Sequence, residues 1–527
     1  MESQAVFSHA QEPARDTLSP LQRAVLGRRS VSLWIAGYLV AGLALFFCYL
    51  HISYTVNVSS DGASNALQAW DMLHGNLLLS GWTLSDVSFY TTELPEYVLV
   101  EVFRGLGPAD VHVSAAVTYT LLVLLAGLLA KGRATGRAAL LRVLIATGIM
   151  VAPEIGPGAF ILLLAPDHTG TGVPLLVIWL LLEYCPQRPY TPVLVGLVLA
   201  WATIGDTLVA LMAALPIVVM CCIRVRRAAG QQHDPGRERR YSISLAIAAA
   251  ASVPAAVIAV KAISALGGYT ILRQRFGIMS PGSWWLNLRL TAEGILGLYG
   301  ADFNSRSTRL FLFVAVIHFI GLGLAVWGLS RGIRQIKNGE SIIDGALSIA
   351  VVINLLAYMC SDLPQTQWDT REIAVTLPYG AVLAGRLLPG ILAKRAMRPG
   401  LITWAACYLF ALIFALTYPG RPANDQDLAT WLSQHHMTCG LGSYADGNTT
   451  ALDSGGRIQL RHPSGPVAAY TRARMSRRTH GSAPAHATRP SSSRPSSTGS
   501  RSTYRRPWPS RRSGNPRRPT GMPRTPS

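Results

Sequence analysis

Residues 31–50, VSLWIAGYLVAGLALFFCYL, run for 20 positions without a charge. At a helical rise of about 1.5 Å per residue, such a run spans roughly the 30 Å apolar thickness of a bilayer. Comparable apolar stretches recur along the chain. Counting the first at about 31–53, they fall at about 111–130, 138–158, 171–184, 191–204, 207–223, 241–264, 308–329, 342–359, 374–393 and 401–417. The pattern predicts an all-α polytopic membrane protein of about eleven transmembrane helices. The fourth to sixth stretches are short and flanked by proline.

The connections between these stretches alternate in charge. Arg23, Arg28 and Arg29 precede the first, and Lys131, Arg133 and Arg137 follow the second. Arg188, then Arg224, Arg226, Arg227, Arg237, Arg239 and Arg240, then Arg331, Arg334 and Lys337, then Lys394, Arg395 and Arg398 continue the same series. Positive loops stay on the cytoplasmic side, so the N-terminal segment 1–30 is predicted inside. The alternate connections hold Asp61, Glu93, Glu96, Asp167, Asp206, Asp362, Asp369 and Glu372 and are predicted outside. Two outer loops within the 31–417 membrane domain are long, at 54–110 and 265–307, and their aromatic residues suit short amphipathic helices at the interface.

After Tyr418 the pattern turns soluble. Residues 418–463 read as a small outer α/β appendage: a helix, a Gly-rich turn and one or two strands. From 464 to 527 the chain is rich in Arg, Ser, Pro and Thr and is predicted disordered. Its composition also fits GC-rich coding sequence read out of frame.

Composition sharpens this reading. Half of the residues are hydrophobic, 14% are charged, and the mean hydropathy is +0.31. Soluble domains carry about 25% charged residues. Of the net charge of +20, 14 arginines lie between Thr471 and Ser527, where there is no Lys, Asp or Glu; the rest of the chain carries +6. The basic balance therefore belongs to the tail and does not describe a nucleic-acid-binding surface. The seven cysteines show no metal spacing, and Cys360 and Cys439 are the pair that the topology places outside together, within reach of a disulfide. No Gly-rich phosphate loop, zinc spacing or nucleophile elbow is present. No cofactor is expected, and a requirement for a divalent metal stays open.

The most informative segment is VSSDGASNALQAWDMLHGN, 58–76, directly after the first apolar stretch. Leu67, Trp70 and Leu73 recur at helical spacing. Asp61 or Ser60 suits the N-cap of that helix. A first helix, an outer acid and an A-x-x-M-L-x-G-N run (Ala69, Met72, Leu73, Gly75, Asn76) also resemble the GT-C glycosyltransferases of the actinobacterial kind. The SFYTTELPEYVLVEVFRGLGP stretch at 88–108 fits the amphipathic segment that follows in that family. The family often pairs acids at this place, whereas this chain has Gly62 after Asp61.

The resemblance implies a multi-pass plasma-membrane enzyme. It would transfer a sugar, with inversion, from a polyprenyl-phosphate donor to a glycan, lipid or protein acceptor of a bacterial cell envelope. An acceptor hydroxyl needs a base, and Asp61 is the candidate. The departing phosphate needs cations, and Arg371, Arg273 and Arg275 lie on the outer side against the positive-inside trend. Arg371 equally suits an ion pair with Glu372, Asp369 or an acid of the first loop. Asp206, between two apolar stretches, suits either a site-facing role or a helix N-cap; Asp206 and Glu372 complete the substrate-binding candidates. Glu154 and His168 are weaker candidates. Lys261 and Arg386, near the ends of apolar stretches, can snorkel. Two other classes fit the topology: a transporter or flippase of a lipid-linked precursor, and a non-catalytic membrane assembly protein. The lack of an internal repeat and the gathering of acids in outer loops favour the enzyme.

Overall fold

A computed structural model describes residues 20–84, 87–228, 235–272, 277–303, 308–336, 341–421 and 426–461. All of them belong to the first of two units, Met1–Met475. Arg273, Arg275 and the tail from 464 onward, with its expected disorder, lie outside the described residues.

The chain is helical almost throughout. Helix α1 (Pro20–Ser53) leads into α2 (Ser60–Leu73), strand β1 (Thr83–Leu84), α3 (Leu94–Arg104) and α4 (Pro108–Lys131). Then come α5 (Gly136–Met150), α6 (Pro157–Leu163), α7 (Gly172–Tyr184), α8 (Thr191–Gly205), α9 (Leu215–Ala228) and α10 (Pro235–Ala265). Strand β2 (Thr270–Ile271) precedes α11 (Trp284–Leu298), α12 (Arg309–Ile336) and α13 (Ile342–Cys360). A 3₁₀ turn, Gln367–Ile373, leads to α14 (Thr376–Leu387), α15 (Pro389–Leu392) and α16 (Arg398–Ala415). The last described segment holds α17 (Gln426–Gln434), β3 (Cys439–Leu441), α18 (Tyr444–Asp453) and β4 (Gln459–Arg461).

Each of the predicted apolar stretches is helical, but among the described residues six helices are long and apolar enough to cross a membrane unaided. These lie in α1, α4, α10, α12, α13 and α16. Proline shortens several of the others. The third predicted stretch is divided by Val151–Gly156, after which Pro157 opens α6. The tenth stops at Leu388, where Pro389 begins a separate turn. Ahead of α9, the backbone widens into a π turn at Ala210–Ala214. Pro216 has no N–H to give to the Met212 carbonyl four residues back. The Tyr379 hydroxyl donates to that carbonyl instead, at 3.2 Å, and itself accepts from Trp179 Nε1 at 2.8 Å.

Helix α14 sits at the centre of the membrane domain and is buried from Thr376 to Gly385. Glycines set its distance from its neighbours, as small residues do in membrane bundles. A side chain at Gly385 would meet the Arg142 carbonyl at 2.7 Å, and one at Gly328 of α12 would meet Ala384 N at 2.6 Å. Arg386 does not snorkel: it is held between Glu183, at 2.9 Å, and Asp344, and it also donates to the Leu129 carbonyl at 3.1 Å. Three helices thereby neutralise one buried cation.

The long loop at 54–110 packs against this bundle. Its helices α2 and α3 pack together, and β1 pairs in parallel with β2 of the second long loop. Residues 426–461 hold α17 and the strands β3 and β4, which pair in parallel. The expected Gly-rich turn is instead helix α18, which packs on α2 through Leu452 against Ala63, Ala66 and Ala69. Cys360 and Cys439 are both free and exposed, contrary to the disulfide considered above.

Candidate functional site

At the start of α2 the helix is capped by Ser59, whose hydroxyl accepts from Gly62 N at 3.0 Å. Neither Ser60 nor Asp61 is needed as the cap, which leaves the Asp61 carboxylate to face outward from the first turn. Gly62 follows because no side chain fits there: a Cβ would lie 2.8 Å from Val111 Cγ1 and 3.0 Å from Ala165 Cβ. The A-x-x-M-L-x-G-N run closes the other end of α2. Gly75 turns the chain at φ +92°, and Asn76 and Trp82 donate to Asp71 Oδ2 at 2.6 and 3.0 Å.

Arg371, in the 3₁₀ turn before α14, joins Asp61 to a second acid. Its Nη2 lies 3.3 Å from Asp61 Oδ2 and its Nη1 lies 3.2 Å from Asp167 Oδ2. Of the partners expected for Arg371, the first-loop acid is the one found; Asp369 is taken up by Thr366, whose N–H donates to it at 2.7 Å. The Asp61 side chain is 36% exposed, Arg371 22% and Asp167 3%. Asp167 also accepts from Asn65 Nδ2 of α2 at 2.8 Å. Burial pushes the Asp167 carboxyl up, to about 6, although the Arg371 charge pulls against it. Burial works against the Arg371 charge too, yet Asp167 and Asp61 hold its pKa above the usual arginine value.

The next residue, His168, builds a second charged link. Its Nδ1 lies 2.9 Å from Asp206 Oδ2, and its Nε2 lies 3.3 Å from Glu372 Oε1. Burial alone would lower its pKa, but Glu372 and Asp206 outweigh it and raise the imidazole well above its ordinary value. Asp206 is fully buried and is used twice. One oxygen accepts from Leu208 N at 2.9 Å, as a helix-capping acid would, and the other accepts from His168 and from Thr171 Oγ1 at 2.9 Å. Asp206 thus both closes the turn ahead of Ala210–Ala214 and joins His168. Burial would raise its carboxyl, and the His168 charge brings it below the usual range.

Glu93, at the start of α3, closes the inner wall. Its Oε1 accepts from Thr171 N at 2.9 Å and Thr171 Oγ1 at 3.1 Å. Burial raises its carboxyl well above the ordinary value. Further along the loop and α3, burial also raises Glu96 to about 8 and Glu101 to about 9. Backbone strain gathers at this wall. Phe89 and His168 have φ of +50° and +59°, a region that non-glycine residues rarely occupy, and their rings meet edge to face at 5.2 Å.

The appendage completes the constellation. Tyr444, the first residue of α18, donates its hydroxyl to Asp61 Oδ1 at 2.8 Å, and Asn448 donates to the Ser60 carbonyl at 3.4 Å.

Asp61, Arg371, Asp206 and Glu372, all singled out from sequence, therefore lie in one linked cluster, and so does His168. Glu154 turns elsewhere, toward the N-terminus of α6, where Gly158 N donates to it at 3.4 Å. Sequence reasoning missed Asp167, Asn65, Glu93 and Tyr444 as members. Among the described residues no group of three or more His, Cys, Asp or Glu is placed to hold a metal ion. The acids here are bridged by a guanidinium and an imidazole, a donor set that does not fit a divalent ion as it stands.

No family model matches the chain, and no curated protein does either. Among solved structures, the chain is similar to the crystal structure of the Archaeoglobus fulgidus oligosaccharyltransferase tethered with an acceptor peptide containing the NVT sequon. The identity is 14% and the TM-score 0.47, over 80% of this chain and 63% of that one. The chain thus matches less than two thirds of the length of that protein.

Proposed function

We propose that this protein is a GT-C-type membrane glycosyltransferase with its site on the outer face of a bacterial plasma membrane. In this reading the eleven apolar helices all cross or enter the bilayer, the N-terminus is cytoplasmic, and the appendage is extracytoplasmic. The donor is a polyprenyl-phosphate sugar and the acceptor is a cell-envelope glycan, lipid or protein. One observation carries the reading: Asp61, Asp206, Glu372 and one of the three candidate arginines, Arg371, lie in one cluster, with Asp61 and Arg371 310 residues apart.

The chemistry follows from the cluster. The acceptor oxygen attacks the anomeric carbon while the bond from that carbon to the phosphate oxygen breaks. The electron pair leaves with the polyprenyl phosphate, and the configuration inverts. The acceptor proton passes to an oxygen of Asp61, whose side chain is partly open to solvent. Arg371, paired with Asp61 and Asp167, brings a delocalised positive charge toward the departing phosphate. His168, held cationic by Asp206 and Glu372, adds a fixed positive charge beside it.

The test is a transfer assay with protein in lipid, a panel of radiolabelled polyprenyl-phosphate sugars and envelope extract as acceptor. Transfer by the native chain and its loss in Asp61→Asn is the expected result. Specific binding of a lipid-linked sugar with no transfer across the panel would favour the flippase instead.

A further inference from the structure

Both oxygens of Asp61 are occupied. Oδ2 faces Arg371, and Oδ1 accepts the Tyr444 hydroxyl. A base that takes a proton from an acceptor offers it a carboxylate oxygen. Oδ2 faces the Arg371 charge, which makes it the less basic of the two, so the working oxygen is Oδ1. The group already there is a neutral O–H donor at 2.8 Å, the geometry an acceptor hydroxyl needs at the start of proton transfer. We infer that Tyr444 marks the acceptor subsite: its phenol stands in for the acceptor, and the nucleophile that displaces it from Asp61 Oδ1 is a hydroxyl.

The placement of α18 supports this. Its Leu452 is fully buried with Ala63, Ala66, Ala69 and Tyr97. Ser443 caps its first turn: its hydroxyl accepts from Asp446 N at 3.1 Å and lies 2.6 Å from Asp446 Oδ2. The helix is therefore anchored, and the tyrosine at its first turn is only half-buried. A rotation of one side chain then exchanges the phenol for a substrate hydroxyl. The acceptor reaches Asp61 between α2 and α18, and a primary or secondary alcohol, as on a sugar or a serine, matches the vacated hydrogen bond.

This inference rests on the glycosyltransferase reading, and two measurements on the full chain in lipid separate their failures. The first is labelling of Asp61 by a water-soluble carbodiimide and an amine, read by mass spectrometry, in native protein and Tyr444→Phe, with Asp61→Asn as the blank. The second is kcat and KM for an alkyl glycoside acceptor with a polyprenyl-phosphate sugar donor. Labelling several-fold faster in Tyr444→Phe, with a lower acceptor KM and kcat retained, is the expected result. Unchanged labelling with unchanged KM would overturn the subsite, while loss of transfer in Asp61→Asn would leave the enzyme reading standing. A fall in kcat at constant KM would also overturn it and make Tyr444 a positioning residue. Native protein silent with every donor would remove the enzyme reading and the subsite with it.

Discussion

Arg371 reaches Asp61 across 310 residues of sequence, Nη2 to Oδ2 at 3.3 Å, and ties the connection before the tenth apolar stretch to the loop at 54–110. The same guanidinium holds Asp167 through its other nitrogen. Arg371→Ala would leave Asp167 buried beside Asp61 without its cation. The expected loss of stability is about 3 kcal/mol, the low end for a broken buried pair because Asp61 is partly solvated. Transfer should fall at least about 100-fold. Arg371→Lys keeps the charge but cannot bridge two carboxylates, so it should fall between the two. Transfer by Arg371→Ala within a few-fold of native would remove the arginine from the proposed chemistry.

Asp61→Asn should lower kcat by roughly 10²–10⁴-fold, the range for a positioned general base. Because Ser59 and not Asp61 caps α2, the thermal midpoint should hardly move. A large drop in stability with this substitution would mean that Asp61 is a structural acid.

His168 couples two acids that lie on separate segments, so its effect should not be additive with theirs. A double-mutant cycle on His168→Gln and Glu372→Gln should give a coupling of about 1–2 kcal/mol in unfolding free energy. Independent effects would show that the 3.3 Å contact is incidental.

Stability should decline as pH rises from about 5 to about 9. Glu96 and Glu101 titrate at about 8 and about 9 in the fold against an ordinary 4.5, so the folded chain binds more protons across that window. Raising the pH through it forces two buried carboxyls to ionise. His168 works in the same direction: its raised pKa contributes stability that is complete below its ordinary value of 6.5 and is lost as pH climbs through the folded value. Thermal midpoints in detergent, measured from pH 5 to 9.5, should fall in the native chain and fall less in the double variant Glu96→Gln, Glu101→Gln. Parallel curves for the two proteins would contradict this.

Asp61, Arg371, Asp206 and Glu372 were legible because a charge at the outer edge of an apolar helix is rare and asks for a partner. Their partners were harder to read. Asp167 sits in PDHTGTG, a segment whose Pro, Gly and Thr all signal a turn, and a turn acid is ordinarily solvated. Its 3% exposure arises from tertiary packing that no local pattern encodes. Helix α18 hid behind Gly442 and Gly447, but the S-x-x-D spacing of Ser443 and Asp446 was a usable signal for a helix start there. The inner cation was misjudged for a related reason. Arg386 lies near a helix end, where snorkelling is the cheaper course, and its pairing with Glu183 and Asp344 depends on helices far away in sequence.

Tyr444 and Asp61 are 383 residues apart, so the cluster is finished by almost the last element of the described residues. At a synthesis rate of about 5–20 residues per second, the first outer loop waits on the order of 20–80 s for that helix to follow it. Arg371 arrives late in the same interval. Until then Asp61 stands without its guanidinium.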